Sequence, residues 1–252
     1  MLTFETKVWE NDWEYVLKNN YIDKMIANCN YKFDRKHIII NNIKNRKEVE
    51  KHCEIKIKEG IIDDFYCVED YSDKVLDFFE IDINSFKGGY IYSIAELLGI
   101  YLCKTEFLLH FSSDSYLKKN NYNWIEEGIK IMQNNPDIIV ANPTWNKKYA
   151  EAKLESSGEI NNFFVGTGFS DQCYLIKNDD FRKNIYNEKN KLSERYPEYG
   201  GELFEKRVDS FMKNNNKLRI THKNDYYISK NFPQKNSFLN KIIGKNIIKN
   251  RL

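Results

Sequence analysis

Four short polar clusters follow apolar runs in this chain: Trp9-Glu10-Asn11, Asn41-Asn42, Glu69-Asp70 and Ser112-Ser113-Asp114. Their carboxylates, carboxamides and hydroxyls supply the donors and acceptors with which a protein can hold a nucleotide. Neither G-x-G-x-x-G nor a Walker A sequence occurs, so neither a dinucleotide fingerprint nor a P-loop is encoded. Cys29, Cys53, Cys67, Cys103 and Cys173 are scattered, odd in number and in no C-x-x-C pair. That pattern specifies neither a zinc knuckle nor a disulfide framework, and reads as reduced, buried small side chains. His110 lies inside an apolar run, where a satisfied core histidine is the expectation rather than a ligand.

For the polar clusters to meet, the runs before them must end along one edge. Leu2 to Trp9 has the content of a strand, and Trp13, Val16, Leu17, Tyr21, Met25 and Ile26 then recur along one face of a helix. His37–Ile40, Asp64–Val68, Glu106–Phe111, Asp137–Ala141 and Cys173–Ile176 read as further strands. Between them, Asn45–Glu59 reads as an exposed helix. The stretch after Gly88-Gly89 carries Ile91, Ile94, Ala95, Leu98 and Leu102 on one side. Asn123 can cap a helix holding Trp124, Ile125, Ile129 and Met132. Such alternation predicts an α/β sheet with both faces covered, and ligands bind outside the carboxyl ends of its strands.

Composition fits that expectation. The 252 residues are 41% hydrophobic and 15% aromatic, enough for a real core and against disorder. A net charge of +2, from 39 Lys+Arg against 37 Asp+Glu, gives no reason to expect nucleic acid. No apolar run approaches the roughly 18–20 residues of a membrane span. The first residues form no basic and apolar leader, so a cytoplasmic location is expected. After Asp225 the acids stop, while Lys230, Lys235, Lys241, Lys245, Lys249 and Arg251 continue. The reading is one domain over residues 1–232 and a basic amphipathic tail over 233–252. The tail either docks as a helix or lies on an anionic membrane surface, on the inner face of a membrane.

The block from Ser93 to Asp114, SIAELLGIYLCKTEFLLHFSSD, resembles the helix, turn, hydrophobic strand and acidic strand end of nucleotide-sugar glycosyltransferases with the A-type fold, family 2-like. The resemblance covers roughly residues 2–230. It implies a single Rossmann-like mixed, mainly parallel sheet with helices on both faces. In that family the strand runs into an Asp-x-Asp motif for a divalent metal and the donor diphosphate. Here the motif is degenerate, Ser112-Ser113-Asp114, with only the last acid kept. Gly88-Gly89 stands where such enzymes carry a glycine loop near the donor, and Tyr199-Gly200-Gly201-Glu202-Leu203 resembles their Gly-Gly-Glu-Asp helix start, with Leu203 in place of the Asp.

The resemblance therefore implies Mn2+ or Mg2+ on Asp114, with His222 completing the shell. It also implies a donor site of Thr6, Val8, Trp9, Asn42, Gly89, Ser112, Ser113 and Asp114. Glu202 is the candidate base, with Glu205 in reserve and Asp171, in the loop Gly166–Gln172, as a rival facing the acceptor. The implied activity is transfer of a sugar from a nucleotide-sugar donor to a glycan or lipid-linked acceptor, in an inverting, metal-dependent reaction. The lost first acid and Leu203 motivate an alternative, a non-catalytic sugar-nucleotide or glycan-binding relative. A nucleotidyltransferase is disfavoured, because Thr6–Trp13 lacks a Gly-rich basic signature.

Overall fold

The computed structural model describes residues 1–118, 122–196, 201–229 and Phe232; the tail and its boundary lie outside the described residues. The chain opens with β1 (Leu2–Val8), α1 (Trp13–Leu17), α2 (Tyr21–Asn28), β2 (Arg35–Ile40), α3 (Arg46–Lys58) and β3 (Asp64–Cys67). It continues through α4 (Ser72–Phe78), α5 (Ile94–Leu102), β4 (Phe107–Phe111), β5 (Ser115–Leu117), α6 (Trp124–Asn134) and β6 (Ile138–Trp145). Then come α7 (Tyr149–Leu154), β7 (Ser156–Ile160), β8 (Phe163–Gly166), β9 (Cys173–Lys177), α8 (Asn178–Phe181), α9 (Phe204–Asn214) and β10 (Leu218–Ser229).

All the strands join one sheet in the order β3-β2-β1-β4-β9-β6-β10-β8-β7, with β5 pairing β10. β3, β2, β1 and β4 are mutually parallel, and β6 is parallel to β10. β9 runs antiparallel between β4 and β6. The mixed, mainly parallel sheet with helices on both faces is the expected architecture.

Side-chain alternation explains the layers. Leu2, Phe4 and Val8 of β1 enter one core with Trp13, Met25, Cys53 and Trp124, from α1, α2, α3 and α6. The opposite core takes Val75, Leu97, Leu98, Phe204 and Val208, from α4, α5 and α9. Glu5 faces that second side, where Gly99 of α5 passes so close that a Cβ would stand 1.8 Å from Glu5 Oε2. His37 and His110, on the flanking strands, each bond one oxygen of Glu5, at 2.8 and 2.9 Å. Burial alone would raise the Glu5 carboxyl, but these histidines hold it below the ordinary range. His110 is thus the core histidine that the apolar run suggested.

Two local expectations need correction. The single helix read over Trp13–Ile26 is two, α1 and α2, broken at Lys18-Asn19-Asn20. Asparagine competes for backbone hydrogen bonds and favours such breaks. Asn123 does not cap α6 through its side chain. It adopts φ +54°, and its carboxamide instead donates to Glu126 at 2.6 Å.

Candidate functional site

Strands β1, β2 and β4 end at the same edge of the sheet, and the strand order turns back between β1 and β4. A crevice opens at such a switch point. Here it is a cleft of ≈ 580 Å³. The end of β1 supplies Lys7, Val8 and Trp9, and the loop after it Asn11 and Asp12; Asn41 and Asn42 follow β2. The turn after β4 brings Ser112, Ser113 and Asp114. Because β9 runs antiparallel to β4, its beginning lies beside the end of β4 and adds Asp171 and Gln172.

Several contacts hold these groups in place. The Ser115 N–H donates to Ser112 C=O at 2.9 Å, closing the turn that presents Asp114. Ser112 is tied across to the β9 approach, its N–H to Gln172 C=O at 2.9 Å and its hydroxyl to Asp171 C=O at 3.2 Å. Ser113 donates its hydroxyl to Asp12, whose other oxygen accepts the Trp9 N–H at 2.8 Å. Asn41 donates to Ile91 C=O at 2.8 Å and so fixes the loop that carries Ile91 and Tyr92 over the cleft. On the apolar wall Phe232 stacks on Tyr15 with centroids 4.8 Å apart. Trp9 is 39% exposed, so it belongs to the cleft rather than to the core.

The electrostatics centre on Lys7, the one cationic side chain among the described residues lining the cleft. It pairs with the fully buried Glu96 and acts on Asp171 and Asp12, which keep it protonated against burial. Burial pushes Asp12 up to about 7 and Asp114 up to about 6, and neighbouring carboxylates add to both.

Glu205, in the first turn of α9, is pushed up to about 8, first by burial and then by the charge of Asp171. Its carboxyl accepts the Asp171 backbone N–H. Glu205 also lines a second cavity of ≈ 450 Å³, which shares Gln172 with the cleft. The two cavities therefore share Gln172, and the mostly protonated Glu205 carboxyl of the second is bonded to Asp171, which lines the first.

Other expected residues stand elsewhere. Thr6 is fully buried and donates to Phe111 C=O at 2.7 Å, so it braces β1 on β4 and does not line the cleft. Gly89 does not line it either, although the loop it begins does. Glu202 faces Lys206 at 3.3 Å and Lys87 at 3.4 Å, outside both cavities. Burial would raise it, but those lysines hold it below the ordinary range. Gly201 before it has φ +68°, and a Cβ there would meet Phe86 C=O at 2.4 Å. This close approach docks the α9 entrance on the Gly88-Gly89 loop, so here the glycine packs backbone on backbone.

His222 lies within β10, wholly buried. Its Nδ1 accepts the Asp225 N–H at 2.9 Å, and burial lowers its pKa to about 4, so it is neutral. It does not line the cleft with Asp114.

Among the described residues no group of three or more His, Cys, Asp or Glu is arranged to hold a metal ion. Asp114 beside two hydroxyls suits a hard cation whose remaining oxygen ligands arrive with the bound molecule. Sequence reasoning overlooked Lys7 and Asp12. The one available signal was a lysine set inside an apolar strand, a position that burial makes costly without a partner.

No protein-family model matches the chain, and no curated protein matches it. Solved structures do. The chain is similar to GalNAc-T7, solved with UDP, GalNAc and Mn2+, at 10% identity and TM-score 0.53, over 91% of this chain and 43% of that one. It is similar to mouse xyloside xylosyltransferase 1 in its apo form at 12% identity and TM-score 0.48, over 86% and 83%. It is also similar to the galactosyltransferase LgtC, solved with donor and acceptor sugar analogues, at 13% identity and TM-score 0.37. That match covers 71% of this chain and 59% of LgtC. At 10% identity the likeness to GalNAc-T7 shows the fold alone, and that fold is A-type-glycosyltransferase-like.

Proposed function

We propose that the chain is a nucleotide-sugar-dependent glycosyltransferase. The observation that carries this reading is the pair of adjoining cavities: one at the switch point with Asp114 and Lys7, the other beside Glu205. The nucleotide lies in the first, its base between Trp9 and Asn42 and its diphosphate by the Ser112–Asp114 turn. Asp114 would hold Mn2+ or Mg2+, which would supply Lewis-acid neutralisation of the charge on the departing diphosphate. Lys7 adds a fixed positive charge on the same side, where charge develops in the transition state.

In the inverting reaction the acceptor hydroxyl attacks the anomeric carbon as the bond to the diphosphate breaks, and its proton passes to a carboxylate. Glu205 is our assignment for that carboxylate. It lines the second cavity, accepts from Asp171 of the first, and is raised into the range useful to a general base, whereas Glu202 is tied to two lysines. Asp171 is the rival.

The basic tail, by its sequence, suits an anionic membrane surface and a lipid-linked acceptor. A second reading, a non-catalytic sugar-nucleotide binder, draws on the missing first acid of the motif. Thermal shift against nucleoside diphosphates, with and without Mn2+, tests the shared premise, because binding to the native state stabilises it. We expect one nucleotide to raise the melting temperature, more so with Mn2+, and Asp114→Ala to remove the metal-dependent part. No shift with any nucleotide would sink both readings. A shift without slow donor hydrolysis would leave only the binder.

A further inference from the structure

The second cavity carries a feature that neutral sugar recognition does not require. Arg219, on β10, and Arg195, in the short 3₁₀ turn Lys191–Arg195, both line it. A Cβ on Gly168 would lie 2.6 Å from Arg195 Nη2 and 3.6 Å from Arg219 Nη1, so two guanidiniums converge over that glycine. Gly168 has φ +101° and no side chain to separate them. Each guanidinium also lies over an aromatic ring, Arg219 over Trp145 at 5.5 Å and Arg195 over Tyr196 at 5.0 Å. Stacking of this kind fixes the planar fork before any ligand arrives.

Their counter-charges are incomplete. Arg219 meets Glu155 at 3.1 Å, and Arg195 meets Asp209 at 3.5 Å. Asp209 is already bonded to Lys213 and accepts from Ser193 at 2.6 Å. Around the guanidiniums three cations thus share two carboxylates. Of the other acids on the cavity wall, Glu151 pairs with Lys148 at 2.9 Å, and burial keeps Glu205 largely protonated at neutral pH. Arg219 exposes only 9% of its side chain, and its Nε–H has no hydrogen-bond partner among the described residues. A buried donor left open in this way is costly unless something accepts from it.

We infer that this cavity receives an acceptor sugar carrying an anionic group, a carboxylate or a phosphate, held by Arg219 and Arg195 against the aromatic wall of Trp145 and Tyr196. The inference rests on the glycosyltransferase reading for the word acceptor, and on the arginines for the anion. Planar carboxylate and tetrahedral phosphate both accept from paired N–H donors. A site built around such donors rejects an analogue that lacks the acceptor far more strongly than an apolar pocket rejects a missing methylene.

The test is calorimetry on the full chain with methyl glucuronoside, methyl glucoside and glucose 6-phosphate, alongside UDP and GDP. At least one anionic sugar should bind 10-fold or more tighter than the neutral glucoside. The arm that does so identifies carboxylate or phosphate. Arg195→Gln, at a half-exposed side chain, should erase most of that preference, and either it or Arg219→Gln should do so in a variant that still melts cooperatively. Equal binding of charged and neutral sugars, no binding of either, or a preference that survives Arg195→Gln would overturn the inference. Nucleoside diphosphate binding without an anion preference sinks this inference alone. An anion preference without nucleotide binding sinks the glycosyltransferase reading and leaves an anion site.

Discussion

Replacing Lys7 with Met would leave Glu96 buried without its cation and would remove the positive charge beside Asp12 and Asp171. Breaking a buried pair by deleting one partner costs about 3–5 kcal/mol, while replacing both partners with apolar groups costs far less. Lys7→Met should therefore lose stability on that scale in urea unfolding, and the double variant Lys7→Met, Glu96→Leu should recover most of it. Nucleoside diphosphate affinity should stay low in both, which separates the electrostatic role from the structural one. For the base, Glu205→Gln should keep donor affinity and lower transfer by about 10²–10⁴-fold. The wild-type rate should rise with pH through about 8, as the Glu205 carboxyl loses its proton. If Asp171→Asn shows that loss and Glu205→Gln does not, the loop before β9 holds the base.

At the scale of elements, α5 rides on β1 only because residue 99 has no side chain. A methyl there would overlap Glu5, whose two oxygens are committed to His37 and His110. Overpacking of a full core costs typically about 1–3 kcal/mol. Gly99→Ala should reach at least that in denaturant melts, because the atoms in its way belong to a bonded buried carboxylate rather than a flexible tip. Gly158→Ala is the control. Among the described residues nothing lies within 4 Å of its Cβ position and its φ is ordinary, so the change should stay within about 0.5 kcal/mol. Since Lys7 and Glu96 pair across the same β1–α5 interface, a shift of α5 in Gly99→Ala should also weaken nucleotide binding. Gly158→Ala should not.

Over the whole molecule the site carboxyls impose a pH dependence. Asp12 and Glu205 are raised to about 7 and about 8, so between their ordinary values and these the folded state holds more protons than the unfolded. Stability then falls as pH rises. His222, lowered to about 4 from an ordinary 6.5, acts oppositely, but only below 6.5. The clear window is therefore from about pH 6.5 to 8.5. There the melting temperature should decline, and less steeply in Glu205→Gln. The tail is tested at the same scale. If its six basic residues after Asp225 face an anionic surface, each adds about 1 kcal/mol to attachment. Deleting residues 236–252 should then abolish sedimentation with anionic vesicles at low salt while leaving donor hydrolysis intact. Full-length protein that ignores such vesicles would end the membrane assignment.

Local pattern alone determined that β1, β2, β4 and β9 are strands, that α3, α5 and α6 are helices, and that polar strand ends would gather. Those features depend on periodicity and on which residues a buried strand tolerates, and both are written into neighbouring residues. The Ser112–Asp114 turn, Asn42 and Trp9 were legible for the same reason, since each directly follows an apolar run. What periodicity cannot express is which strands lie side by side and which way a side chain on a buried face is met. The buried Lys7 finds its counter-charge only because α5 brings Glu96 to it, and Asp12 is held only because the turn after β4 brings Ser113 to the β1 loop. Thr6, read as a donor contact, turned inward because its hydroxyl finds Phe111 C=O on that neighbouring strand. His222, read with Asp114, fell within the long strand β10, where the N–H of Asp225 occupies its Nδ1. Glu202 and Glu205 stand three residues apart, the first before α9 and the second in its first turn. The first points to lysines and the second to Asp171, and that difference exists only once α9 is docked against the loop before β9.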